Sequence, residues 1–194
     1  MDYRIDRNRL FDRFSAWSSY LKRKVRLIAC GGTAMTLLGI KDSTKDIDLI
    51  VPDTKEYKYM IGVLEDFGYV RTGANRWKSE DIFVFDIFEG NFVHTTELLE
   101  SPLIEGNHVL IKQFSSIYLG ALNNYDLIIS KLFRGTQVDR EDCLALLRYE
   151  GAAIDLKRLE DRYRETASYS ISEDKMIRNF ELFLETMKKE LGRG

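Results

Sequence analysis

The sequence predicts an α/β fold of the α+β kind: a mixed β-sheet core flanked by helices, followed by a C-terminal helical subdomain. Three observations predict it. Leu27–Val51 reads as a short apolar segment, a glycine bend, the helix-like TAMTLLG, a polar loop and a second apolar segment. Asp81–Glu89, DIFVFDIFE, is apolar on both alternating faces, as a strand covered on two sides is. From Asn123 onward the apolar residues recur only at helical intervals. The division expected is residues 1–122 as the core and 123–194 as a helical subdomain that completes the site.

Taken in order, Leu10, Phe14, Trp17 and Leu21 are spaced for one face of a helix over residues 6–23, with Asp6 placed as its cap. Val25 to Cys30 is the first buried strand, Gly31-Gly32 the bend, and Lys41–Lys45 the loop before Asp46–Val51. Tyr57, Met60, Ile61, Leu64 and Phe67 mark a helix capped by Asp53 or Thr54 and closed by Gly68. Residues 69–78 read as an extended pair about a Gly73-Ala74-Asn75 turn. Between 92 and 122 the sequence indicates β structure, with Gly106-Asn107 turning between Pro102–Glu105 and His108–Gln113, then Ile117–Leu122. Tyr125, Ile128, Ile129, Leu132 and Phe133 form a helix face that Gly135 ends, and Leu144, Leu146 and Leu147 belong to the next helix. The remainder reads as two charged amphipathic helices, with Leu156, Leu159 and Tyr163 on one, and Met176, Phe180, Phe183, Leu184, Met187 and Leu191 on the other behind a Ser172 cap. Lys157, Arg158, Arg162 and Arg164, mixed with acids, read as a solvated face.

Composition narrows the function classes. With 194 residues and 44% hydrophobic content the chain can bury a sizeable core. No run approaches the roughly 20 apolar residues of a membrane span, and the Asp-containing start is not a signal peptide, so a cytoplasmic protein without membrane contact is expected. A net charge of −2 supplies no global attraction to nucleic acid, so such a partner would need a local patch. The two cysteines, Cys30 and Cys143, lack metal-ligand spacing and read as buried thiols, and the two histidines are too few for a histidine-based metal site.

The chemistry is concentrated in the acids. Residues two apart on a strand share a face, so Asp46 and Asp48 project together, roughly 6–7 Å apart at the backbone. Among Ile47, Leu49, Ile50 and Val51 their charge is costly unless a cation meets it. Gly31-Gly32 lets a phosphate approach backbone N–H groups at the start of the following helix. One edge then suits a metal and the other an anion, and a nucleoside triphosphate with Mg²⁺ fits both. Asp86 interrupts the second buried strand, and across adjacent strands it would meet Asp48 to complete a three-carboxylate cluster. The plainer alternatives are that Asp86 caps a strand end or pairs with a lysine, with Asp81 a weaker candidate at the strand mouth.

A Gly-Gly bend, Thr33 directly after it, residues 33–45 between, and Asp-Ile-Asp in an apolar setting resemble the nucleotidyltransferase superfamily with its polymerase-β-like fold, and within it the small abortive-infection toxin-type members. The resemblance implies that Asp46, Asp48 and Asp86 bind metal, two Mg²⁺ ions with Mn²⁺ as a substitute, and that Gly31, Gly32 and Thr33 hold the triphosphate. YDLIISKLFRGTQVDREDCLALL resembles the family's helical part, which implies a phosphate-contacting role for Lys131 and a functional one for Asp139, with Asp142 nearby. The family's usual Arg before that acid is Val138 here, with Arg140 following. The alternative is that Lys131 snorkels from a helix edge and Asp139 caps the next helix. The function expected is Mg²⁺-dependent transfer of NMP from an NTP to a hydroxyl of RNA, such as tRNA, or of a protein, as one component of a toxin–antitoxin pair with its cognate partner. Two other readings stand beside it: a catalytically inactive nucleotide-binding or partner-binding module of the same fold, and a small nuclease using the same acids.

Overall fold

The structure is a computed structural model that describes residues 4–79 and 83–192. In chain order it contains β1 (Ile5–Asp6), α1 (Arg7–Tyr20), β2 (Val25–Ala29), α2 (Gly31–Leu37), β3 (Ser43–Thr44), β4 (Ile47–Val51) and α3 (Thr54–Asp66). There follow β5 (Val70–Arg71), β6 (Arg76–Lys78), β7 (Val84–Glu89), β8 (Phe92–Val93), β9 (Thr96–Glu97), β10 (His108–Gln113) and β11 (Ile117–Leu122). The last four helices are α4 (Asn124–Arg134), α5 (Gln137–Glu150), α6 (Leu156–Ser168) and α7 (Glu173–Leu191). The chain divides into two compact units, one of Met1–Val93 with Glu100–Asn123, the other of His94–Leu99 with Asn124–Gly194.

The first unit is built on a mixed sheet whose seven described strands run in the order β10-β11-β2-β4-β7-β6-β5. Its centre is β4, antiparallel to β2 and parallel to β7. All five residues of β4 are buried, as a strand covered on both faces must be. On one face Trp17 of α1 lies against Phe85 with ring centroids 4.5 Å apart, and Tyr69 meets Phe85 edge-on. Leu10 and Phe14 of α1 are fully buried, each contributing about 1.5–3 kcal/mol of apolar burial. Because side chains alternate, Asp86, the neighbour of Phe85, points to the opposite face.

Local sequence explains most boundaries. The Asp6 carboxylate accepts from Arg9 N–H to start α1, and Asp53 accepts from Lys55 and Glu56 N–H to start α3. The first helix stops at Tyr20, short of the expected residue 23, where Leu21 turns extended. The expected extended pair is present as β5 and β6. Pro102–Glu105 is not extended: Ile104 N–H bonds Ser101 O and Asn107 N–H bonds Ile104 O, a local turn that uses the groups a strand would offer a neighbour. Strand β10 instead pairs with β11 through the turn at residues 114–116. Asp81 and Ile82 of the expected aromatic strand lie outside the described residues.

The helical unit has its own core. Tyr163 stacks on Phe180 with centroids 4.4 Å apart, and its hydroxyl donates to Met176 O at 2.8 Å. Leu132, Leu146, Leu159 and Phe183 are fully buried around them. Ser172 precedes α7 without a side-chain capping bond, and the Leu191 side chain lies outside the described residues. Arg162 does not belong to a solvated face, because it grips the buried Asp126 with contacts of 2.9 to 3.1 Å. Lys157 and Arg164 do face solvent, paired along α6 with Asp161 and Glu160.

Candidate active site

Asp48 and Asp86 are direct partners in the parallel register of β4 and β7. Registered residues on neighbouring strands share a face at about 4.8 Å, so the two carboxylates project side by side. They are 7% and 8% exposed, deep enough for their charge to need a partner. Asp46 precedes β4, and its side chain is 41% exposed at the rim. The side chain that ties the rim to the interior is Arg76 of β6, paired in register with Asp86. Its guanidinium forks onto Asp86, with Nε to Oδ1 at 3.0 Å and Nη2 to Oδ2 at 2.8 Å, and Nη2 also reaches Asp46 Oδ2 at 3.3 Å. The hydrogen bond to Asp86, with the nearby charges of Asp46 and Asp48, holds the Arg76 pKa above its ordinary value against the cost of burial.

The glycines serve this cluster through close packing. Gly31 and Gly32 form the first turn of α2, with Cys30 as its N-cap. Gly31 has φ +55°, and a Cβ there would run into Asp48 Oδ2. A Cβ on Gly32 would stand 2.5 Å from Thr44 Oγ1. Thr33 is fully buried: its hydroxyl accepts from Asp48 N–H at 2.9 Å and donates to Asp46 O at 3.1 Å. Thr44 Oγ1 donates to the same carbonyl at 3.0 Å. Thr33, expected on the phosphates, is thus spent on shaping the Asp46–Asp48 backbone.

In the helical unit the expected functional groups form a buried ionic cluster. Lys131 is 2% exposed and its ammonium donates to Asp142 Oδ2 at 2.7 Å, with Asp139 at 3.9 Å. Asp139 is fully buried, bound by Arg134 and joined to Thr136 in a reciprocal capping box that starts α5. Burial pushes the Asp139 carboxyl up, but hydrogen bonds from Arg134 and Thr136 and the charges of Arg134 and Lys131 outweigh it and hold the group below the usual carboxylate range. Lys131 therefore does not snorkel, and the cap of α5 is Thr136, with Asp139 as the third helical residue that reaches back to it. Cys143 beside them is buried, which pushes its thiol up.

Residues 8–191 match the family described as "Nucleotidyltransferase of unknown function (DUF6036)". The chain belongs to this nucleotidyltransferase family. Among solved structures, this nucleotidyltransferase is similar in fold to ANT(2")-Ia in complex with adenylyl-2"-tobramycin, with a TM-score of 0.57 and 12% identity over 83% of this chain and 98% of that one. It also aligns with an antigenic nucleotidyltransferase-like protein from Paracoccidioides brasiliensis at a TM-score of 0.48 and 9% identity, over 91% and 95% of the two chains. No curated protein matches it.

The donor chemistry of the nucleotidyltransferase suits a hard divalent cation, since Asp46, Asp48 and Asp86 offer carboxylate oxygens on one face. The arrangement is not a ready-made seat: among the described residues no three acidic, histidine or cysteine side chains are gathered to hold a metal ion, and Arg76 engages both oxygens of Asp86. Arg76 is the residue that sequence reasoning missed. Its position directly after the Gly73-Ala74-Asn75 turn of the expected 69–78 hairpin is the signal, but only strand order shows which acid it faces.

Proposed function

We propose that this nucleotidyltransferase moves a nucleoside monophosphate from an NTP to a hydroxyl acceptor in a Mg²⁺-dependent reaction. The observation that supports it is the registered pair Asp48 and Asp86 on parallel central strands, with Asp46 brought to the same face through Arg76. The acceptor oxygen forms a bond to the α-phosphorus, the bond from that phosphorus to the β-phosphate bridging oxygen breaks, pyrophosphate leaves, and Asp86 takes the hydroxyl proton. Mg²⁺ held by Asp46, Asp48 and Asp86 would supply charge neutralisation on the triphosphate and polarise the acceptor oxygen. Thr33 and Thr44 keep Asp46 and Asp48 aligned, and the absence of a Cβ at Gly31 lets the Asp48 carboxylate pack against the glycine bend. Lys131 and Asp139 enter this reading as the brace between α4 and α5, because both are buried in ion pairs.

RNA and protein hydroxyls remain the acceptors proposed, within a toxin–antitoxin pair in the cytoplasm. The fold neighbour bound to adenylylated tobramycin adds a small polyhydroxyl acceptor to the trial. No described helix is long and apolar enough to cross a membrane. A second reading, a nucleotide-binding module without chemistry, is favoured by one observation, the hold of Arg76 on Asp86. Purified protein incubated with labelled NTPs, Mg²⁺ and pools of RNA, protein or tobramycin separates the two. Transfer of label with release of pyrophosphate, lost in Asp48→Ala, is the expected result. NTP binding without transfer supports the module, and neither binding by calorimetry nor transfer overturns both.

A further inference from the structure

We propose that Arg76 is a built-in counter-cation that occupies the acid cluster in the absence of metal, and that divalent metal binds only when its guanidinium lets go of Asp86. The inference rests on the metal-binding reading above and adds a competition that the family assignment does not contain. Asp86 is nearly buried, and in this structure its charge is met by a bidentate fork at 2.8 and 3.0 Å. The same Nη2 reaches Asp46 at 3.3 Å, so one guanidinium serves two of the three carboxylates that a metal would need. A divalent ion placed among them would share oxygens with a positive group only a few ångströms away, and the two cations repel. The two cations therefore compete for the same carboxylate oxygens.

The geometry also gives the arginine a route away from Asp86. Arg76 sits in register opposite Asp86, so the backbone ladder between β6 and β7 anchors its Cα whatever the side chain does. Its side chain is 48% exposed, while the Asp86 side chain is 11% exposed. The acid is therefore the enclosed partner, and the arginine has a path into water where its charge is solvated. Thr33 and Thr44 hold the Asp46 backbone in place through this exchange, because they bond its carbonyl and leave its carboxylate alone.

Mn²⁺ binding to the nucleotide-free protein, followed by calorimetry and by the spin-resonance signal of free Mn²⁺, tests the competition. Arg76→Gln is expected to bind Mn²⁺ tighter by roughly tenfold or more, the equivalent of one charge-assisted hydrogen-bond pair, with Arg76→Lys in between. Equal or weaker binding by Arg76→Gln overturns the competition and makes Arg76 an aid that orients Asp86. No Mn²⁺ binding by either the unaltered protein or the variant overturns the metal reading itself, and this inference with it. Should the variants fail to fold, the Arg76 Nε–H resonance of the unaltered protein decides. Its shift and faster hydrogen exchange on saturation with Mg²⁺ support release, and an unchanged resonance at saturation overturns it.

Discussion

In the sheet unit, Asp46 and Asp86 meet Arg76 at the edge of solvent, whereas in the helical unit Asp139 and Asp142 meet Lys131 and Arg134 with the two acids and the lysine almost wholly enclosed. Buried aspartates occur in both, and what differs is the cation that meets them, an arginine 48% exposed in the first and a lysine 2% exposed in the second. An ion pair with one exposed partner opens only where another cation takes over the enclosed acid, and water then takes up the released arginine. A pair enclosed on both sides is expensive to open, because each charge left behind has no solvent. Sequence motifs for phosphate chemistry do not distinguish these cases, and burial does. The first cluster presents its arginine to solvent, and the second fastens α4 to α5.

Several substitutions press on that contrast, and the greatest effect is expected from Asp48→Asn. Nucleotidyl transfer should fall roughly thousandfold, since a metal's charge stabilisation is worth several kcal/mol, while the urea midpoint moves little. Lys131→Met should do the reverse: it takes the ammonium away from the buried Asp142, at a cost of about 3–5 kcal/mol in urea unfolding. If Lys131→Met keeps its stability and loses transfer, the contrast breaks and the lysine belongs on the phosphates.

A pH series sharpens the same comparison at smaller amplitude. The folded Asp139 carboxyl titrates below its unfolded value, so the unfolded chain binds more protons in that interval and stability rises with pH. Its contribution is complete above the unfolded value of about 4 and is lost as pH falls through the lower folded value. Acid unfolding followed by circular dichroism should show this loss, and Asp139→Asn should flatten it. The least effect is expected at Lys157, whose pair with Asp161 lies in solvent: Lys157→Ala should leave the urea midpoint unchanged within error.

Much of the fold was legible because its signals are local. Asp6 and Asp53 stand where capping carboxylates are needed, and α4 ends just before Gly135. The apolar runs of β2, β4 and β7 could be read as buried strands without knowing their neighbours. The extended reading of Pro102–Glu105 failed for the same local reason, because the turn is made by bonds among Ser101, Ile104 and Asn107 that apolar pattern does not encode. The solvated reading of Arg162 failed because its partner, Asp126, lies on another helix.

By itself the sequence determined that Asp48 lies in a buried strand, that a second acid interrupts another, and that a side-chain-free bend precedes the first. These are consequences of periodicity and composition, which every short segment carries within it. The expected place of Asp46 on the same strand as Asp48 did not hold, since it stands just ahead of β4. Only the tertiary structure decided that β4 and β7 are adjacent and in register, that Arg76 rather than a lysine meets Asp86, that Thr33 is turned onto the backbone, and that Lys131 is enclosed. Those facts depend on strand order and on what covers each face, and chain segments far apart in sequence acquire them only when they pack.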